Sequence, residues 1–146
     1  MVLEMVQEGL HIEIKNDLDE IAQVTEAIKQ FSAQSDLTQD VDYALQLVAE
    51  EMLSNIILHG FPQGGLHNIM IDLEVKSDEV CLLLKDDGIQ FNLLEHTVQN
   101  KPASLDEIKI GGLGILLVRD NVDEISYKYE NGWNTVLVTK HLSPED

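Results

Sequence analysis

Apolar and polar residues alternate in two clear stretches of this chain, Leu10–Lys15 and Ile69–Val75. A period of two is typical of a strand with one buried face. After a short polar turn the second stretch is followed by the apolar run Val80–Leu84, so the two predict a hairpin. Near the end of the chain, Asn131 and Gly132 separate two more short apolar runs, and this pair is a strong signal for a tight hairpin turn.

Between the first strand and the first hairpin, apolar residues recur every three or four positions over Asp17–Phe31 and again from about Thr38 to His59. This spacing predicts two helices, each with one buried face. Asp36 is predicted to cap the second helix and Gly60 to end it, and a shorter third helix is predicted over Ile115–Asn121. The order strand, two helices, hairpin, loop, helix, hairpin predicts an α/β sandwich, with one sheet covered by helices on one face.

The length of 146 residues suits a single domain that spans 1–146. Residues 89–110 stand apart within it, because they carry Pro102, scattered charges and only weak periodicity. A loop of this length is unusual in a small domain, and such loops often serve as lids or binding loops. We therefore predict a mobile lid over about 89–110.

The chain is strongly acidic, with 27 Asp and Glu against 9 Lys and Arg and a net charge of -18. Such a surface repels nucleic-acid phosphates and anionic membranes, so we expect neither as a partner. Acidity does not exclude a nucleotide, whose phosphates are held by local backbone N–H groups, a metal ion and one or two cations. No long apolar span is present and Met1–Leu10 lacks the basic start of a signal peptide, so the default expectation is a cytoplasmic location.

Disulfide and zinc chemistry find no support in the sequence. The single cysteine, Cys81, excludes an internal disulfide and lies in an apolar run, which favours a buried structural thiol. The five histidines show no ligand spacing, so we predict no structural zinc.

The second predicted helix carries the most informative polar residues. On a helical wheel Glu51, Asn55 and His59 stack along the edge of the apolar face, whereas Glu50 falls on the solvent side. A carboxylate at such an edge is costly unless it is paired, hydrated in a cleft or bound to a ligand, which makes Glu51 a candidate functional residue. The same positions also suit a polar rim that caps a neighbouring loop, and His59 suits a structural helix end.

Two glycine-containing segments follow. Asp86 and Gly88 close the strand of the first hairpin, where a carboxylate can accept a hydrogen bond from a flat ligand, although Asp-Gly is also a common turn. A second cluster, 111–114, stands directly before the third helix, where backbone N–H groups can converge on an anion. A flexible connector is the alternative there. Lys109, one of few basic residues, lies beside this cluster and suggests phosphate neutralisation.

Three pairs of residues, in this order along the chain, resemble the N box and the two glycine boxes of the GHKL superfamily of ATPases. They are Glu51 with Asn55, Asp86 with Gly88, and Gly112 with Gly114. The closer resemblance is to the anti-sigma-factor serine/threonine kinases. It is carried by Glu-x-x-x-Asn-x-x-x-His-Gly-Phe at 51–61, Asp-Asp-Gly-x-x-Phe-Asn at 86–92 and Gly-Gly-Leu-Gly-Ile-x-Leu-Val at 111–118, and it covers about residues 10–141.

The resemblance implies a Bergerat-type ATP-binding fold, with a mixed, mostly antiparallel sheet, and it implies roles for single residues. Glu51 is implied as the general base and Asn55 as the ligand of Mg²⁺ at the phosphates of ATP. Asp86 is implied as the acceptor of the adenine amino group, with Thr135 behind it, and Gly88 as the position that lets the adenine lie close.

At the phosphate end, the resemblance implies that Gly112 and Gly114 shape the base of the lid, beside Gly111 and Lys109. One position departs from the pattern, because Gln90 stands where many relatives have the second glycine of the first box. This departure favours the alternative of a catalytically weak or inactive ATP-binding module that switches partners.

The function implied by the resemblance is that of an ATP-dependent serine/threonine protein kinase. Its implied partners are a small STAS-like antagonist protein, as the phosphate acceptor, and a sigma factor. Relatives often act as homodimers, and Leu10–Lys15 is predicted to offer an unpaired edge strand for this purpose. A sensor histidine kinase or a gyrase-like ATPase fits less well, because fewer than forty residues precede the N-box helix and no transducer domain follows it.

Overall fold

The computed structural model describes residues 1–6, 9–92, 94 and 112–142. Its strands are β1 Val2–Val6, β2 Gly9–Lys15, β3 Asn68–Val75, β4 Glu79–Asp86, β5 Glu124–Glu130 and β6 Trp133–His141. Its helices are α1 Ile21–Gln34, α2 Gln39–His59 and α3 Gly112–Asn121, and a short 3₁₀ helix, Leu18–Glu20, precedes α1. No helix in the described part of the chain is long and apolar enough to cross a membrane.

The described strands form one six-stranded sheet in the order β1-β2-β3-β4-β6-β5. Every pair of neighbours in it is antiparallel. The tight turn between β5 and β6 is built by Asn131 and Gly132, whose φ angles of 56° and 84° are both left-handed, which confirms the predicted hairpin. The predicted α/β class is therefore confirmed.

One face of this sheet, which we call the inner face, carries the core. Strand β4 alternates buried and half-buried positions along its whole length, and β2 and β3 follow the same rule. Helices α1, α2 and α3 supply the opposing apolar side chains, and burial of each large one contributes on the order of 1.5–3 kcal/mol. The fully buried large side chains include Ile12, Ile14, Ile28, Leu45, Met52, Leu53, Ile69, Ile71, Leu82, Leu84 and Ile115.

The helix starts differ in detail from the sequence predictions. Helix α2 is capped by Thr38, whose hydroxyl accepts a hydrogen bond from the N–H of Val41 at 3.2 Å. Asp36, the predicted cap, instead takes a left-handed φ of 54° in the turn before it, so that prediction is wrong. Helix α3 starts at Gly112, before the predicted start at Ile115, so two glycines of the second cluster lie inside its first turn.

The predicted edge strand is also wrong. Leu10–Lys15 belongs to β2, which pairs on both sides, with β1 and with β3. The sequence Val2–Val6 carries only a short alternation around Glu4, yet it pairs with β2 from Val2 opposite Glu13 to Val6 opposite Gly9. Strand β1 is therefore the edge strand on this side of the sheet.

On the other face of the sheet, which we call the outer face, His11 lies between two carboxylates. Its Nδ1 is 2.6 Å from Oδ1 of Asp72, and its Nε2 is 3.5 Å from Oε2 of Glu13. The hydrogen bond to Asp72 raises the pKa of His11 above its ordinary value, and partial burial opposes this only in part.

We predict that this pair makes the stability of the fold depend on pH. Because the pKa of His11 is higher in the folded chain, its contribution is fully present below about pH 6.5, the unfolded value, and is lost as the pH rises through the folded pKa. The difference in unfolding free energy between the wild type and His11→Gln, from urea titrations, should shrink from pH 6 to pH 8.5. In an Asp72→Asn background the same difference, with and without His11→Gln, should be smaller at pH 6. A difference that grows with pH would contradict the assignment.

Candidate functional site

Helix α2 carries the polar residues that the sequence singles out, Glu51, Asn55 and His59, along one edge. Glu50 is exposed, as the wheel predicts, whereas Glu51 is half-buried and Asn55 is only 8% exposed. His59, one further turn along, closes the helix and stacks its ring on Phe91, with the ring centres 5.5 Å apart. The three residues therefore line one edge of α2.

The carboxylate of Glu51 lies against the first turn of α3. A Cβ built on Gly114 overlaps Oε2 of Glu51 and is 2.8 Å from its Cδ, so glycine is required there if Glu51 keeps its position. Burial, together with the neighbouring charge of Glu50, raises the pKa of Glu51. A carboxylate with a raised pKa is a better proton acceptor near neutral pH than an exposed one.

The amide of Asn55 is oriented by its own helix. Its Nδ2 donates to the carbonyl oxygen of Glu51 at 2.9 Å, so the donor side of the amide is satisfied by backbone. This leaves Oδ1 as the acceptor that Asn55 offers outside the helix. An amide oxygen one helical turn from a carboxylate is the kind of hard oxygen donor that Mg²⁺ prefers, so these two residues fit such an ion.

Asp86 ends β4 on the inner face and is only 4% exposed. Its Oδ1 accepts hydrogen bonds from the N–H of Gly88 at 2.9 Å and from Nδ2 of Asn134 at 3.1 Å. Burial raises the pKa of Asp86, and these two hydrogen bonds partly oppose the rise. Among the described residues, both hydrogen bonds to the carboxylate end on Oδ1, which leaves Oδ2 to accept from a ligand.

Gly88 joins the turn after β4 to the end of α2. A Cβ on Gly88 would lie 2.5 Å from the carbonyl oxygen of Gly60 and 2.9 Å from Oδ1 of Asp86. The same carbonyl accepts a hydrogen bond from the N–H of Ile89 at 2.9 Å. The turn therefore needs glycine for its own packing, in addition to any approach of a ligand.

Asn134, and not Thr135, is the β6 residue beside Asp86. In the β4–β6 register Asn134 pairs with Asp86, whereas Thr135 pairs with Lys85 and lines the outer face. The predicted position of Thr135 behind Asp86 is therefore wrong, because successive residues of a strand point to opposite faces.

The side chain of Asn134 is the centre of a buried polar cluster. Its Nδ2 also lies within 3.3 Å of the carbonyl oxygen of Gly88 and 2.8 Å of that of Ile89. Its Oδ1 accepts from the N–H of Phe91 at 3.1 Å and from the hydroxyl of Tyr127 at 2.5 Å. Asn134 therefore fixes the carboxylate of Asp86 and the residues 88–91 that follow it, a role that only the pairing register reveals.

A small cavity lies beside Asp86, between Ile56 and Phe91. Its volume of about 10 Å³ is close to the space that one water molecule occupies. A cavity of this size holds no planar base unless some of the residues that line it, Phe91 among them, move.

Some predicted residues fall outside the described part of the chain. They are Lys109, Gly111 and all of the predicted lid except residues 89–92 and 94, and they stay predictions. Of the second glycine cluster, the structure places Gly112 at the start of α3 and Gly114 against Glu51. It thus brings together Glu51, Asn55 and Gly114 at one end of α2, with Asp86 and Gly88 packed against its last residues.

Comparison with known proteins gives a consistent result. The model of the histidine kinase-like ATPase domain family matches residues 14–140. The chain is 33% identical over 103 residues to the serine/threonine-protein kinase BtrW of Bordetella bronchiseptica, which covers 70% of this chain and 72% of that protein. It is 30% identical over 126 residues to an anti-sigma F factor of Bacillus licheniformis, covering 86% and 85% of the two chains. The anti-sigma F factor of Bacillus subtilis is 26% identical over 137 residues, covering 92% of each.

The contact between Glu51 and Gly114 gives a prediction for stability. Gly114→Ala alone should be neutral or destabilising, because the new methyl group displaces the Glu51 carboxylate. In a Glu51→Ala background the same change should be stabilising by up to about 1 kcal/mol, the helix preference of alanine over glycine.

The measurement is a double-mutant cycle of unfolding free energies from urea titration, with an expected coupling of about 1 kcal/mol. The matched cycle between Glu50→Ala and Gly114→Ala should show no coupling, because Glu50 is exposed. Additivity in the Glu51 cycle would show that the two residues do not meet.

Proposed function

The chain belongs to the family of histidine kinase-like ATPase domains, and on this premise we propose that it is an ATP-dependent serine/threonine protein kinase. In this proposal ATP binds with its adenine at Asp86 and its phosphates between α2 and the start of α3. The observation that carries the proposal is the convergence of Glu51, Asn55 and Gly114, because it puts a proton acceptor and an oxygen ligand beside a helix N-terminus.

The adenine end rests on the buried carboxylate of Asp86. Gly88 and Asn134 hold Oδ1, so Oδ2 is the atom that would accept from the exocyclic amino group of adenine. An acceptor in that place favours adenine over guanine, which presents a carbonyl oxygen instead. Asn134 acts here as a positioning residue, since it holds Asp86 and does not itself have to touch the base.

At the phosphate end, Mg²⁺ would be held through Oδ1 of Asn55, and when bound it neutralises charge on the phosphates. Phosphoryl transfer is catalysed mainly by such positioning and electrostatic stabilisation. Helix α3 begins at Gly112, and in this proposal the N–H groups of its first turn bind the phosphates, where Gly112 and Gly114 would allow close approach.

Glu51 is the proposed general base. The oxygen of a serine or threonine hydroxyl attacks the γ-phosphorus, the bond from that phosphorus to the β–γ bridging oxygen breaks, and ADP leaves. The proton of the hydroxyl passes to the carboxylate of Glu51, whose pKa burial has raised. Glu50 is exposed and takes no proton in this step, although its charge adds to the rise in the pKa of Glu51.

For the acceptor we propose a small STAS-like antagonist protein, with a sigma factor as the second partner and a cytoplasmic location. Support for a sigma factor comes from relatives that carry the name anti-sigma F factor, and support for serine/threonine transfer from the relative named as such a kinase.

A second candidate function is an ATP-binding module that switches partners without efficient transfer. The observation in its favour is the small cavity beside Asp86, which Phe91 lines while it stacks on His59. Gln90, which stands where many relatives have a glycine, also favours this second function. The transfer assay described below separates the two functions.

We predict that Asp86→Asn weakens ATP binding by more than about tenfold, or on the order of 1.4 kcal/mol. The asparagine Oδ1 can keep the hydrogen bonds from Gly88 and Asn134, so the change replaces only the acceptor at Oδ2 by a donor. Calorimetric titration with ATP and Mg²⁺ measures the affinity. The exposed neighbour provides the control, Asp87→Asn, which should bind ATP as the wild type does, and equal affinities of all three proteins would remove Asp86 from the adenine site.

We predict that Glu51→Gln keeps ATP binding and lowers phosphoryl transfer by about a hundredfold or more, the usual scale for a general base. Transfer by the wild type should fall as the pH drops through the raised pKa of Glu51, and the variant should lose this acid limb. Asn55→Ala should lose the dependence on Mg²⁺.

The assay follows labelled phosphate from ATP to a STAS-like protein encoded near this chain. Glu50→Gln is the matched control and should transfer normally. If wild-type protein binds both ATP and the antagonist yet transfers nothing, the kinase proposal fails and the switching module takes its place.

A further inference from the structure

The side-chain amide of Asn134 makes five hydrogen bonds to described residues, and they join it to two different parts of the fold. Three of them go to backbone groups of the segment 88–91, which follows β4. The other two go to side chains of the sheet, the carboxylate of Asp86 on β4 and the hydroxyl of Tyr127 on β5. The amide therefore ties the segment 88–91 to the sheet.

The nitrogen end of this amide has more acceptors than protons. Nδ2 of Asn134 lies 3.1 Å from Oδ1 of Asp86, and it lies 3.3 Å and 2.8 Å from the carbonyl oxygens of Gly88 and Ile89. A primary amide nitrogen carries two N–H groups, so the contact with Asp86 competes with two backbone carbonyls, one of which is closer. Nδ2 alone therefore does not hold Asn134 on Asp86, and the contacts of Oδ1 have to contribute.

Tyr127 supplies the contact of Oδ1 that comes from the sheet. In the β5–β6 register it pairs with Val136, which is buried on the inner face, and so it lies diagonal to Asn134 and within reach of it. Its hydroxyl donates to Oδ1 of Asn134 at 2.5 Å, whereas the N–H of Phe91 donates to the same oxygen at 3.1 Å. The hydroxyl thus makes the shorter of these two hydrogen bonds, and the one that does not come from the segment 88–91.

The small cavity beside Asp86 makes this difference important. Its volume of about 10 Å³ cannot hold an adenine ring, so residues that line it have to move when a base binds. Ile89 and Phe91 are the lining residues outside regular secondary structure, whereas the others belong to α2, to its C-cap or to the sheet: Ile56, Gly60, Asp86, Tyr127, Asn134 and Val136. The segment 88–91 is therefore the part of the lining that moves at least cost, and its contacts with Asn134 change when it does.

We propose that Tyr127 is a positioning residue of the adenine site, whose hydroxyl keeps the amide of Asn134 on Oδ1 of Asp86 when a base displaces the segment 88–91. Oδ2 of Asp86 then stays available to the exocyclic amino group of adenine. Selectivity for that amino group depends in this way on a hydroxyl that need not touch the base. The inference rests on the proposed binding of ATP at Asp86.

The test compares ATP with purine riboside triphosphate, which lacks the amino group, in calorimetric titrations with Mg²⁺. Tyr127→Phe keeps the ring that lines the cavity and loses only the hydroxyl. We expect this variant to bind ATP about fivefold more weakly than the wild type, the scale of one hydrogen bond, and to bind purine riboside triphosphate equally well. A residue that acts through packing alone would weaken both nucleotides by the same factor, and that result would overturn the proposal.

The matched control is Tyr129→Phe, which makes the same chemical change on the same strand. Tyr129 pairs with Asn134 in the register and is 39% exposed, and its variant should bind both nucleotides as the wild type does. In an Asp86→Asn background, Tyr127→Phe should no longer weaken ATP binding, because the contact that it supports is already lost. A loss of affinity that persists in this background would also overturn the proposal.

The same titrations separate this inference from the proposed function. A wild-type protein without any preference for ATP over purine riboside triphosphate would remove the adenine site, and the role of Tyr127 with it. A wild-type preference that Tyr127→Phe retains in full would overturn the role of Tyr127 alone.

Discussion

A sheet that helices cover on one face only forces each strand residue onto one of two very different surfaces. In this chain the constraint is sharpest at the end of β4, where Lys85 and Asp86 are neighbours in sequence but lie on opposite faces. Asp86 ends the inner row that begins with Val80, and so it becomes a buried carboxylate next to the last turn of α2. Lys85 ends the outer row and stacks on Trp133. The position of the candidate site and the character of the outer face both follow from this alternation.

Burying polar groups at the edge of an apolar layer is unfavourable unless each one finds a partner. The fold meets this requirement with short-range hydrogen bonds: Asp86 is held by Gly88 and Asn134, and Asn55 by the carbonyl of Glu51. Glu51 is the exception, because its described surroundings raise its pKa without offering it a cation. A half-buried carboxylate without a compensating charge destabilises the fold slightly, and it is the group best suited to accept a proton or to face a bound cation.

Periodicity predicted the layers well, because β2, β3, β4 and α2 each bury a regular set of apolar positions. The helical wheel likewise separated Glu51 from Glu50. Local features were less predictable from the sequence, since Thr38 and Asp36 both suit a cap and only the path of the turn selects Thr38. Strand β1 was missed because it is short and its pairing with β2, not its composition, makes it a strand.

The register of β6 had the largest effect on the candidate site. Asn134 and Thr135 are both polar and adjacent, and a shift by one residue exchanges the two faces of the strand. The fold settles the choice through long-range contacts, because Asn134 bonds to Asp86 across 48 residues of sequence and to Tyr127 across the hairpin. A motif read along the chain identifies β4 and its aspartate, but the partner of that aspartate depends on how two distant strands align.

The glycines of the two boxes illustrate how motif and packing are connected. A side chain on Gly88 would strike the backbone carbonyl of Gly60, so glycine is required there, whereas one on Gly114 would displace the carboxylate of Glu51. These contacts bring the turn after β4 and the first turn of α3 against α2, each at a position that also carries a polar group. The close approach at Gly88 therefore holds the turn that carries Asp86 against the end of α2, and the close approach at Gly114 holds the start of α3 against Glu51. Any ligand bound by these residues uses a geometry to which both glycines contribute.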